Sequence, residues 1–574
     1  MNEPKQQRDR EKADVAYAYT AHLDTFAADN LPPRDEWPDF RFELPELQYP
    51  ERMNCGEILL DARVEAGDGG RPALGAMVAG QPVFATYAQL LAQANRIANV
   101  LVNELGLVPG NRVLLRAPNN PMLAACWLAV MKAGLVAVPT MPLLRAKELH
   151  QIVTKARVAT ALCDAALGEE MAHCLDASHE HYASSLMRVV YFNGRPAAST
   201  DPSLETLASK QPAVFANIDT ARDDVCMLAF TSGTTGEPKA TMHFHRDVMA
   251  MCDTFCRHVL KPTPDDVFVG TPPLAFTFGL GGLLCFPLSV GASTFLVERA
   301  TPETLLATIA AARATTVFTA PTFYRQMATM LAAGTHRDAL DTLRTSVSAG
   351  EALPDATRQL WKNATGIEMI DGIGGTEVMH IYISAAGADV RRGAIGKVVP
   401  GFDAQIVDDD MQPLPPGNVG RLALKGPTGC RYLADARQRD YVKQGWNLPG
   451  DAFLMDADGY FFYQARTDDM IISAGYNIAG PEVESALLEH AAVSECGVVG
   501  VHDEARGQVV KAFVVLHAGY APSHELVVEL QTFVKSTVAP YKYPRQIEFV
   551  DVLPRTETGK LQRFRLRKRE VDVD

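Results

Sequence analysis

Residues 225–239 have the sequence VCMLAFTSGTTGEPK, in which an apolar run is followed at once by small and hydroxyl-bearing residues. The apolar part, Val225–Phe230, predicts a buried strand. Of the nine residues Thr231–Lys239 that follow, six are Ser, Thr or Gly and one is Lys. Glycines expose backbone N–H groups, successive N–H groups can bind an anion, and a lysine adds positive charge. The stretch therefore predicts a phosphate-binding loop, with a flexible surface linker as the alternative.

The segments upstream of this loop alternate between helical and strand patterns. A helical periodicity begins at Tyr87 and stops at Gly106, and a short strand pattern follows at Val113–Leu115. A second helix, Pro121–Ala133, and a second strand, Leu135–Val138, come next. Strand, helix and strand at this spacing predict a βαβ unit and a parallel sheet. Similar alternation continues to about residue 400.

The pattern then changes twice. After about residue 400 the Pro and Gly turn signals become dense, which predicts a β-rich subdomain to residue 467. A second break falls near Arg466–Asp469. We therefore predict an α/β protein with an N-terminal extension, 1–50, and a large N-terminal domain of stacked mixed and parallel sheets with helices, 51–467. A small, mobile α+β C-terminal domain, 468–574, would complete it.

Composition narrows the function classes. The net charge of −14 argues against sequence-independent binding to nucleic acid, and the basic run Arg563–Arg569 is interpreted as a short solvated tail. The ten cysteines contain no CxxC pair, which favours buried free thiols in a reducing cytoplasm. The polar N-terminus has no apolar signal segment. The uncharged run Phe268–Val297 is long enough to cross a membrane, but its glycines and prolines favour buried strands and loops instead.

The loop sequence TSGTTGEPK resembles a signature of the adenylate-forming superfamily, which includes acyl- and aryl-CoA ligases, firefly-type luciferases and peptide-synthetase adenylation domains. The other signatures occur in the same order over roughly residues 50–570. The stretches IGGTEVMHI, KGPTGCRYL and ISAGYNIAGPEVE are most similar to benzoate- and 2-aminobenzoate-CoA ligases. The resemblance implies that ATP and Mg²⁺ activate a carboxylic acid as an acyl-AMP, and that coenzyme A as co-substrate then receives the acyl group.

The resemblance also implies which residues bind the nucleotide. Lys560 would be the catalytic lysine, aided by Lys239 and Thr376, and Glu377 would hold Mg²⁺. Asp468 would be the hinge between the domains, and Gly475 would line the coenzyme A tunnel. The full set of implied nucleotide-binding residues is Thr231, Ser232, Gly233, Thr234, Thr235, Gly236, Lys239, Gly350, Glu351, Asp371, Gly372, Ile373, Gly374, Thr376, Asp451 and Arg466.

The resemblance places acid selection in the loop Phe276–Gly279 and at His380. Phe276 and Phe278 could wall an aryl pocket, although phenylalanines are often simply core residues. Thr277 stands where relatives that activate amino acids carry an Asp, which argues against an α-amino acid substrate. Gly279 belongs to the same loop. His380 and His245 are candidate polar contacts, with a structural role as the alternative for each.

An aryl acid such as 2-aminobenzoate or benzoate is the favoured substrate. The alternatives are a medium-chain fatty acid, a separate carrier protein as acyl acceptor, luciferase-like oxidation of the adenylate, and a non-catalytic nucleotide-binding protein. A cytoplasmic location, no membrane span and no nucleic-acid partner are expected, and a homodimer is left open.

Overall fold

The structure is a computed structural model that describes residues 19–196, 199–231, 237–466, 469–473, 476–503, 506–555 and 561–571. Several predicted site residues lie outside these ranges, namely Ser232, Gly233, Thr234, Thr235, Gly236, Asp468, Gly475 and Lys560.

The strands are numbered along the chain. Up to residue 244 they are β1 (Pro72–Val78), β2 (Gln81–Thr86), β3 (Arg112–Arg116), β4 (Val136–Thr140), β5 (Thr160–Asp164), β6 (Arg188–Phe192), β7 (Val225–Thr231) and β8 (Lys239–Phe244). Up to residue 398 they are β9 (Val267–Gly270), β10 (Ser293–Phe295), β11 (Thr316–Thr319), β12 (Thr345–Ala349), β13 (Ile370–Gly374), β14 (Ile381–Ala385) and β15 (Lys397–Val398). After that they are β16 (Asp403–Val407), β17 (Val419–Lys425), β18 (Val442–Lys443), β19 (Trp446–Asn447), β20 (Asp451–Met455), β21 (Phe461–Arg466), β22 (Ile471–Ser473), β23 (Tyr476–Ile478), β24 (Val493–Asp503), β25 (Gly507–Leu516) and β26 (Gln546–Phe549).

The α-helices are numbered in the same way. Up to residue 260 they are α1 (Phe26–Asp29), α2 (Ala62–Glu65), α3 (Tyr87–Asn99), α4 (Pro121–Lys132), α5 (Ala146–Ala156), α6 (Gly168–Leu175), α7 (Leu204–Ala208) and α8 (His245–Met251). The rest are α9 (Thr277–Leu280), α10 (Phe286–Val290), α11 (Pro302–Ala312), α12 (Pro321–Ala332), α13 (Asp355–Thr365), α14 (Gln438–Tyr441), α15 (Gly480–Leu488), α16 (His524–Thr537) and α17 (Arg563–Val571). Wider π-helical turns occur at Glu57–Asp61, Val100–Glu104, Cys252–Leu260 and Gly281–Cys285.

The strands form two largely parallel sheets, one antiparallel sheet and one mixed sheet within the described ranges. The first sheet has the order β15-β14-β13-β12-β11-β9-β10-β1-β2, and the second has the order β6-β5-β3-β4-β7-β8. The antiparallel sheet runs β18-β19-β17-β20-β21, with β16 also on β17. The mixed sheet runs β23-β22-β25-β24, with β26 parallel to β25. The predicted α/β class is confirmed, while the domain boundaries stay predictions.

Local sequence signals account for the predicted βαβ unit. Thr86 caps α3 through a capping box with Gln89, and Asn120 caps α4 by accepting from the backbone N–H of Leu123. Pro121 begins α4 because it has no N–H to leave unsatisfied there. Strands β3 and β4 flank α4 and pair in parallel, as the sequence predicted.

Two interpretations from the sequence are wrong. The uncharged run does not consist of strands and loops only, because Thr277–Val290 is helical through α9, Gly281–Cys285 and α10. Glycines are tolerated there because they lie against neighbours; a Cβ on Gly282 would lie 2.5 Å from the Phe318 ring. Among the described residues no helix is long and apolar enough to cross a membrane.

The second error concerns the basic C-terminal run. Instead of a solvated tail it forms α17, which packs on β24. Leu566 is fully buried with Val499 and Phe513. Arg563 makes an ion pair of 2.7 Å with Glu484. The apolar residue between the arginines therefore holds the run against the sheet, and an acidic partner satisfies its charge.

Candidate active site

Four neighbouring parallel strands bring the predicted acid and nucleotide segments to one edge of the first sheet. Strand β9 pairs with β11, β11 with β12, and β12 with β13, all in parallel. Carboxyl ends of parallel strands face the same way, and ligands bind in the crevice outside them. Residues 271–279 follow β9, Gly350 and Glu351 follow β12, and residues 375–377 follow β13. Three segments therefore lie together at this edge of the sheet: the predicted acid loop, residues 350–351 and Glu377.

Tyr432 connects Glu377 to the phosphate loop on the second sheet. Its hydroxyl donates a hydrogen bond of 2.7 Å to Oε1 of Glu377. The Nζ of Lys239, at the start of β8, lies 5.2 Å from the centre of the Tyr432 ring. Tyr432 also forms a β-bridge with Thr241. Burial and then the neighbouring Glu377 raise the pKa of Tyr432 far above its usual value, so its hydroxyl stays a donor.

The stretch KGPTGCRYL showed a resemblance to benzoate- and 2-aminobenzoate-CoA ligases, but no role was predicted for Tyr432 within it. A tyrosine in that stretch carries no local signal that it meets Glu377, which lies 55 positions away in the chain. The pair could be identified only from the packed structure, in which the two sheets meet.

A tight turn separates Glu377 from His380. Met379 has a φ of +73° and a ψ of −47°, and the N–H of His380 donates to the carbonyl of Val378 at 2.9 Å. This is a γ-turn with a positive φ, a rare and strained conformation. Met379 is fully buried, so its surroundings hold the turn in place. The turn lets Glu377 meet Tyr432 while His380, three residues later, enters a different environment.

His380 lies among phenylalanine rings. The centre of its ring is 4.6 Å from that of Phe286, 5.5 Å from that of Phe255 and 5.8 Å from that of Phe278. Gly281 makes room for it, since a Cβ there would lie 2.5 Å from Cδ2 of His380. Within the described part of the chain, neither ring nitrogen makes a hydrogen bond of good geometry, and the backbone of Phe278 is the polar group that acts on the ring. Burial lowers the pKa of His380 to about 3, so the ring is neutral at physiological pH.

This pKa makes stability depend on pH. Between pH 6.5 and about 3 the unfolded chain binds a proton at His380 that the folded protein does not, so stability falls as the pH falls through this window. We expect the loss at this residue to reach about 2 kcal/mol between pH 7 and pH 5. His380→Asn should remove that part of the slope in urea denaturation at the two pH values. An unchanged slope would contradict the prediction, and His336→Asn, at a partly exposed histidine, is the control.

The other residues of the predicted acid loop lie at the start of a helix and pack closely against their neighbours. Phe276 precedes α9 as its N-cap residue, and Thr277 is nearly buried at the start of the helix. The Phe278 ring packs 5.6 Å from Phe318, a ring on β11. Gly279 has no space for a side chain, because a Cβ would lie 2.1 Å from the carbonyl oxygen of Pro273. Of these residues, Phe278 is the one whose ring contacts His380.

His245 belongs to a different group of side chains. It begins α8 after β8, and its Nδ1 lies 3.1 Å from Sγ of Cys55. It therefore begins a helix, whereas His243, two residues earlier, lies on β8. In the described ranges, the ring contacts of His380 are with phenylalanines, and His245 is not among them.

Asp451 and Arg466 form the predicted pair for the ribose. They face each other across β20 and β21, and Nη1 of Arg466 donates 3.1 Å to Oδ1 of Asp451 and 2.9 Å to the carbonyl of Pro449. Burial opposes the charge of Arg466, but the Asp451 carboxylate outweighs it and raises the pKa of the guanidinium. Asp451 is largely buried. A fixed carboxylate at this place can accept two hydroxyl donors from a vicinal diol.

The predicted adenine-binding segments lie side by side on β12 and β13, where Ser348 is opposite Asp371. Burial raises the pKa of Asp371 to about 6, and Arg358, 3.8 Å away, acts against that rise. Gly350 has a φ of +92°, a conformation that suits glycine. Gly372 is packed against Ile381, and Gly374 against the backbone of His380. Ile373 packs on the core of the large domain, and Thr376 begins the short 3₁₀ turn Thr376–Val378.

Two basic residues that the sequence analysis missed hold the far end of the phosphate loop. Lys155 Nζ donates 2.9 Å to the carbonyl of Pro238 and 2.8 Å to Asp435. Arg437 donates 3.2 Å to the carbonyl of Glu237 and pairs with Asp435 at 2.6 Å. The Arg437 guanidinium holds the pKa of Asp435 far below its usual value. These residues line an open cleft of about 480 Å³ beside the loop.

Residues 62–432 match the family of AMP-binding enzymes, and residues 482–560 match the AMP-binding enzyme C-terminal domain. The chain belongs to the AMP-binding enzyme family. The superfamily resemblance found in the sequence is thereby confirmed.

Several relatives of this AMP-binding enzyme have been named or solved. It is 34% identical over 528 residues to the benzoate–CoA ligase of Thauera aromatica, covering 91% of this chain and 97% of that protein. The crystal structure of the anthranilate CoA ligase AuaEII in complex with anthranoyl-AMP matches with a TM-score of 0.83 and 32% identity, covering 92% of this chain and 99% of that chain. A benzoate CoA ligase from Burkholderia xenovorans LB400 matches with a TM-score of 0.80 and 31% identity, covering 90% and 100%.

The C-terminal part of this AMP-binding enzyme touches the candidate nucleotide site. Nη1 of Arg555 lies 3.6 Å from Oε1 of Glu351. Arg555 also forms an antiparallel β-bridge with Leu561. Two described residues that flank Lys560 thus meet, and one of them contacts the segment after β12.

Proposed function

We propose that this AMP-forming acid:CoA ligase activates an aryl carboxylic acid, with 2-aminobenzoate and benzoate as the favoured substrates. The observation that carries the proposal is the neutral His380 among phenylalanine rings, three residues after Glu377. Flat apolar walls suit an aryl ring, and an unpartnered imidazole can hydrogen-bond a ring substituent or the carboxylate. The names of the benzoate and anthranilate ligases to which the chain is similar favour the same class.

The chain's own groups suit the first reaction step. When the acid oxygen attacks the α-phosphorus of ATP, negative charge grows on the phosphate oxygens and pyrophosphate leaves. Lys239, the N–H groups of the loop after β7, Thr376 and Lys560 would stabilise that charge. Asp451 would hold the ribose. Gly350, Glu351 and Asp371 would border the adenine.

Glu377 fits a magnesium ion. One carboxylate oxygen accepts from Tyr432, and in the described part of the chain no hydrogen bond engages the other, Oε2. Mg²⁺ binds through one or two carboxylates together with substrate phosphates. When bound, the ion would offset the charge of the phosphates. Tyr432 would keep Glu377 oriented toward it.

In the second step the thiolate of coenzyme A would attack the acyl carbonyl and AMP would leave. We propose that the C-terminal domain, 468–574, turns about Asp468 between the steps. Lys560 would leave the site, and the segment at Gly475 would line the path of coenzyme A.

The proposal is tested by measuring acid-dependent AMP release with ATP, Mg²⁺ and coenzyme A. The acids are benzoate, 2-aminobenzoate, hydroxybenzoates and straight-chain fatty acids. We expect the highest kcat/KM for an aryl acid. A preference for fatty acids would reject the aryl assignment and favour the medium-chain alternative. No CoA-dependent product, with acid-dependent pyrophosphate release intact, would favour a carrier protein as acceptor.

A variant at His380 separates substrate contact from packing. His380→Ala should lower kcat/KM for the preferred aryl acid about 10- to 100-fold more than for a fatty acid, because it removes a polar contact as well as ring area. A loss equal for all acids would assign His380 to the core. Phe255→Leu, which alters another ring beside His380, is the matched packing control.

A variant at Tyr432 tests the orientation of Glu377. Tyr432→Phe keeps the ring near Lys239 but removes the hydrogen bond to Glu377. We expect the Mg²⁺ concentration for half-maximal activity to rise about 10-fold, as when a partner of a metal ligand is lost. Tyr324→Phe is the control, because it also removes a buried hydroxyl, one that donates to backbone carbonyls. An unchanged Mg²⁺ requirement would show that Tyr432 does not position the ligand.

A further inference from the structure

Three soft ligand atoms meet inside the large domain, away from the residues assigned above. Cys55 precedes the turn Glu57–Asp61, Cys226 lies on β7, and His245 begins α8. The two sulfurs and a ring nitrogen all lie within 4.8 Å of one another, and the three side chains are fully buried. The residues come from distant parts of the chain, since Cys55 and His245 are 190 positions apart. Folding alone brings them together.

The imidazole presents a lone pair on the side of the thiols. The backbone N–H of Cys55 donates 3.2 Å to Nδ1 of His245, and Sγ of Cys55 lies 3.1 Å from the same atom. An atom that accepts from an N–H carries no proton. The proton is then on Nε2, which is buried without a hydrogen-bond partner among the described residues. Nδ1 is therefore the deprotonated nitrogen on the side of the thiols, and an ion bound there would replace the hydrogen bond that its lone pair accepts from the N–H of Cys55.

We propose that Cys55, Cys226 and His245 form a binding site for a thiophilic divalent metal ion of the zinc type. Thiolate and imidazole are the ligands that zinc prefers. Binding would release one proton from each thiol, and the two thiolates would balance the two positive charges of the ion. The complex would be neutral, which suits a site with no access to water. His22 and Cys285 are buried electrostatic neighbours of His245 and Cys226.

The site would tie the base of the phosphate-loop hairpin to the segment at Cys55. Cys226 and His245 both lie at the base of that hairpin, one near the start of β7 and the other just after the end of β8. There Val225 pairs with Phe244 and Met227 with His243. The loop itself lies at the opposite end of β7 and β8. A bound ion would fix the hairpin without touching the nucleotide.

The test uses the full-length chain, reduced, without an affinity tag and stripped of metal, with Cd²⁺ as the probe. We expect one Cd²⁺ per chain after gel filtration, a thiolate-to-metal absorption band in the ultraviolet, and a higher melting temperature. Mg²⁺, which prefers oxygen ligands, should produce none of these effects. No retained Cd²⁺, or binding without the thiolate band, would overturn the proposal.

Variants identify the ligands. Cys226→Ser and Cys55→Ser should each weaken Cd²⁺ binding by roughly 100-fold or more, since loss of even an outer partner costs 10- to 100-fold. Cys126→Ser, at another fully buried thiol that is not part of this group, should bind like the parent. His173→Ala with His179→Ala should also leave binding intact, although these two rings stack at 4.3 Å near the surface. Binding that survives Cys226→Ser but is lost in the histidine double variant would place the ion elsewhere and reject the site.

Discussion

Lys560→Ala is expected to reduce acyl-adenylate formation about 100- to 1,000-fold, the usual effect of removing one charged or N–H donor from a reacting oxyanion. Lys560 lies outside the described residues, but residues on both sides of it are described. Arg555 and Leu561 bridge on either side, and Arg555 approaches Glu351 beside the candidate adenine segment. The described residues on either side of this position therefore meet, and one of them contacts the candidate adenine segment.

Acid-dependent exchange of pyrophosphate into ATP measures this step alone. The second step, started from a supplied acyl-adenylate and coenzyme A, should change only a few-fold in the same variant, because no charge on the α-phosphate then needs a new partner. Lys568→Ala, at an exposed lysine of α17, is the matched control. Near-normal exchange in Lys560→Ala would reject the catalytic role. Equal losses in both steps would reject the assignment to adenylation alone.

Elements with a strong local signal could be predicted from the sequence. The helix at Tyr87–Asn99 has its apolar spacing and its cap in one short stretch, and β7 is a continuous apolar run before a glycine-rich loop. Periodicity and capping act within a few residues, so one sequence contains them. The remaining features of the fold class were predicted from the order of the superfamily signatures along the chain.

Other features depend on contacts between distant segments and could not be predicted. The helical turn Gly281–Cys285 looks unfavourable from its glycines, yet close packing on Phe318 and His380 stabilises it. The pairing of Tyr432 with Glu377 requires the two large sheets to meet. The group at Cys55 and His245 joins segments that no spacing rule connects.

The candidate acid site also combines a feature that the sequence predicted with one that depends on packing. The resemblance identified His380 as a candidate but could not say whether it was charged. Its pKa follows from complete burial among phenylalanines, a property of the packed structure and not of the motif. A neutral imidazole can donate one hydrogen bond and accept another, whereas a charged one would attract every carboxylate. We therefore propose that His380 contributes to selectivity for the ring of the acid.

Arg431→Met is expected to lower the free energy of unfolding by about 3–5 kcal/mol, because it leaves the carboxylate of Asp247 buried without its cation. Both side chains are fully buried, and Nη2 of Arg431 contacts Oδ2 of Asp247 directly. The same oxygen accepts the N–H of Phe244 at 2.9 Å, and the guanidinium carbon lies 3.9 Å from the Phe244 ring centre. Burial opposes ionisation of Asp247, but Arg431, with smaller contributions from His243 and Arg246, lowers its pKa overall.

Urea denaturation at pH 7 with tryptophan fluorescence measures this loss, because Trp37 lies 5.6 Å from the Arg431 guanidinium. Arg431→Met combined with Asp247→Leu removes both charges and should recover most of the stability, since apolar groups can replace a buried ion pair. Arg41→Ala breaks the exposed pair with Asp403 and should cost less than about 1 kcal/mol. A double variant no more stable than Arg431→Met would contradict the ion-pair explanation and point to lost packing on Phe244. Since Arg431 directly precedes Tyr432, the single variant should also raise the Mg²⁺ requirement, which would link this buried pair to the orientation of Glu377.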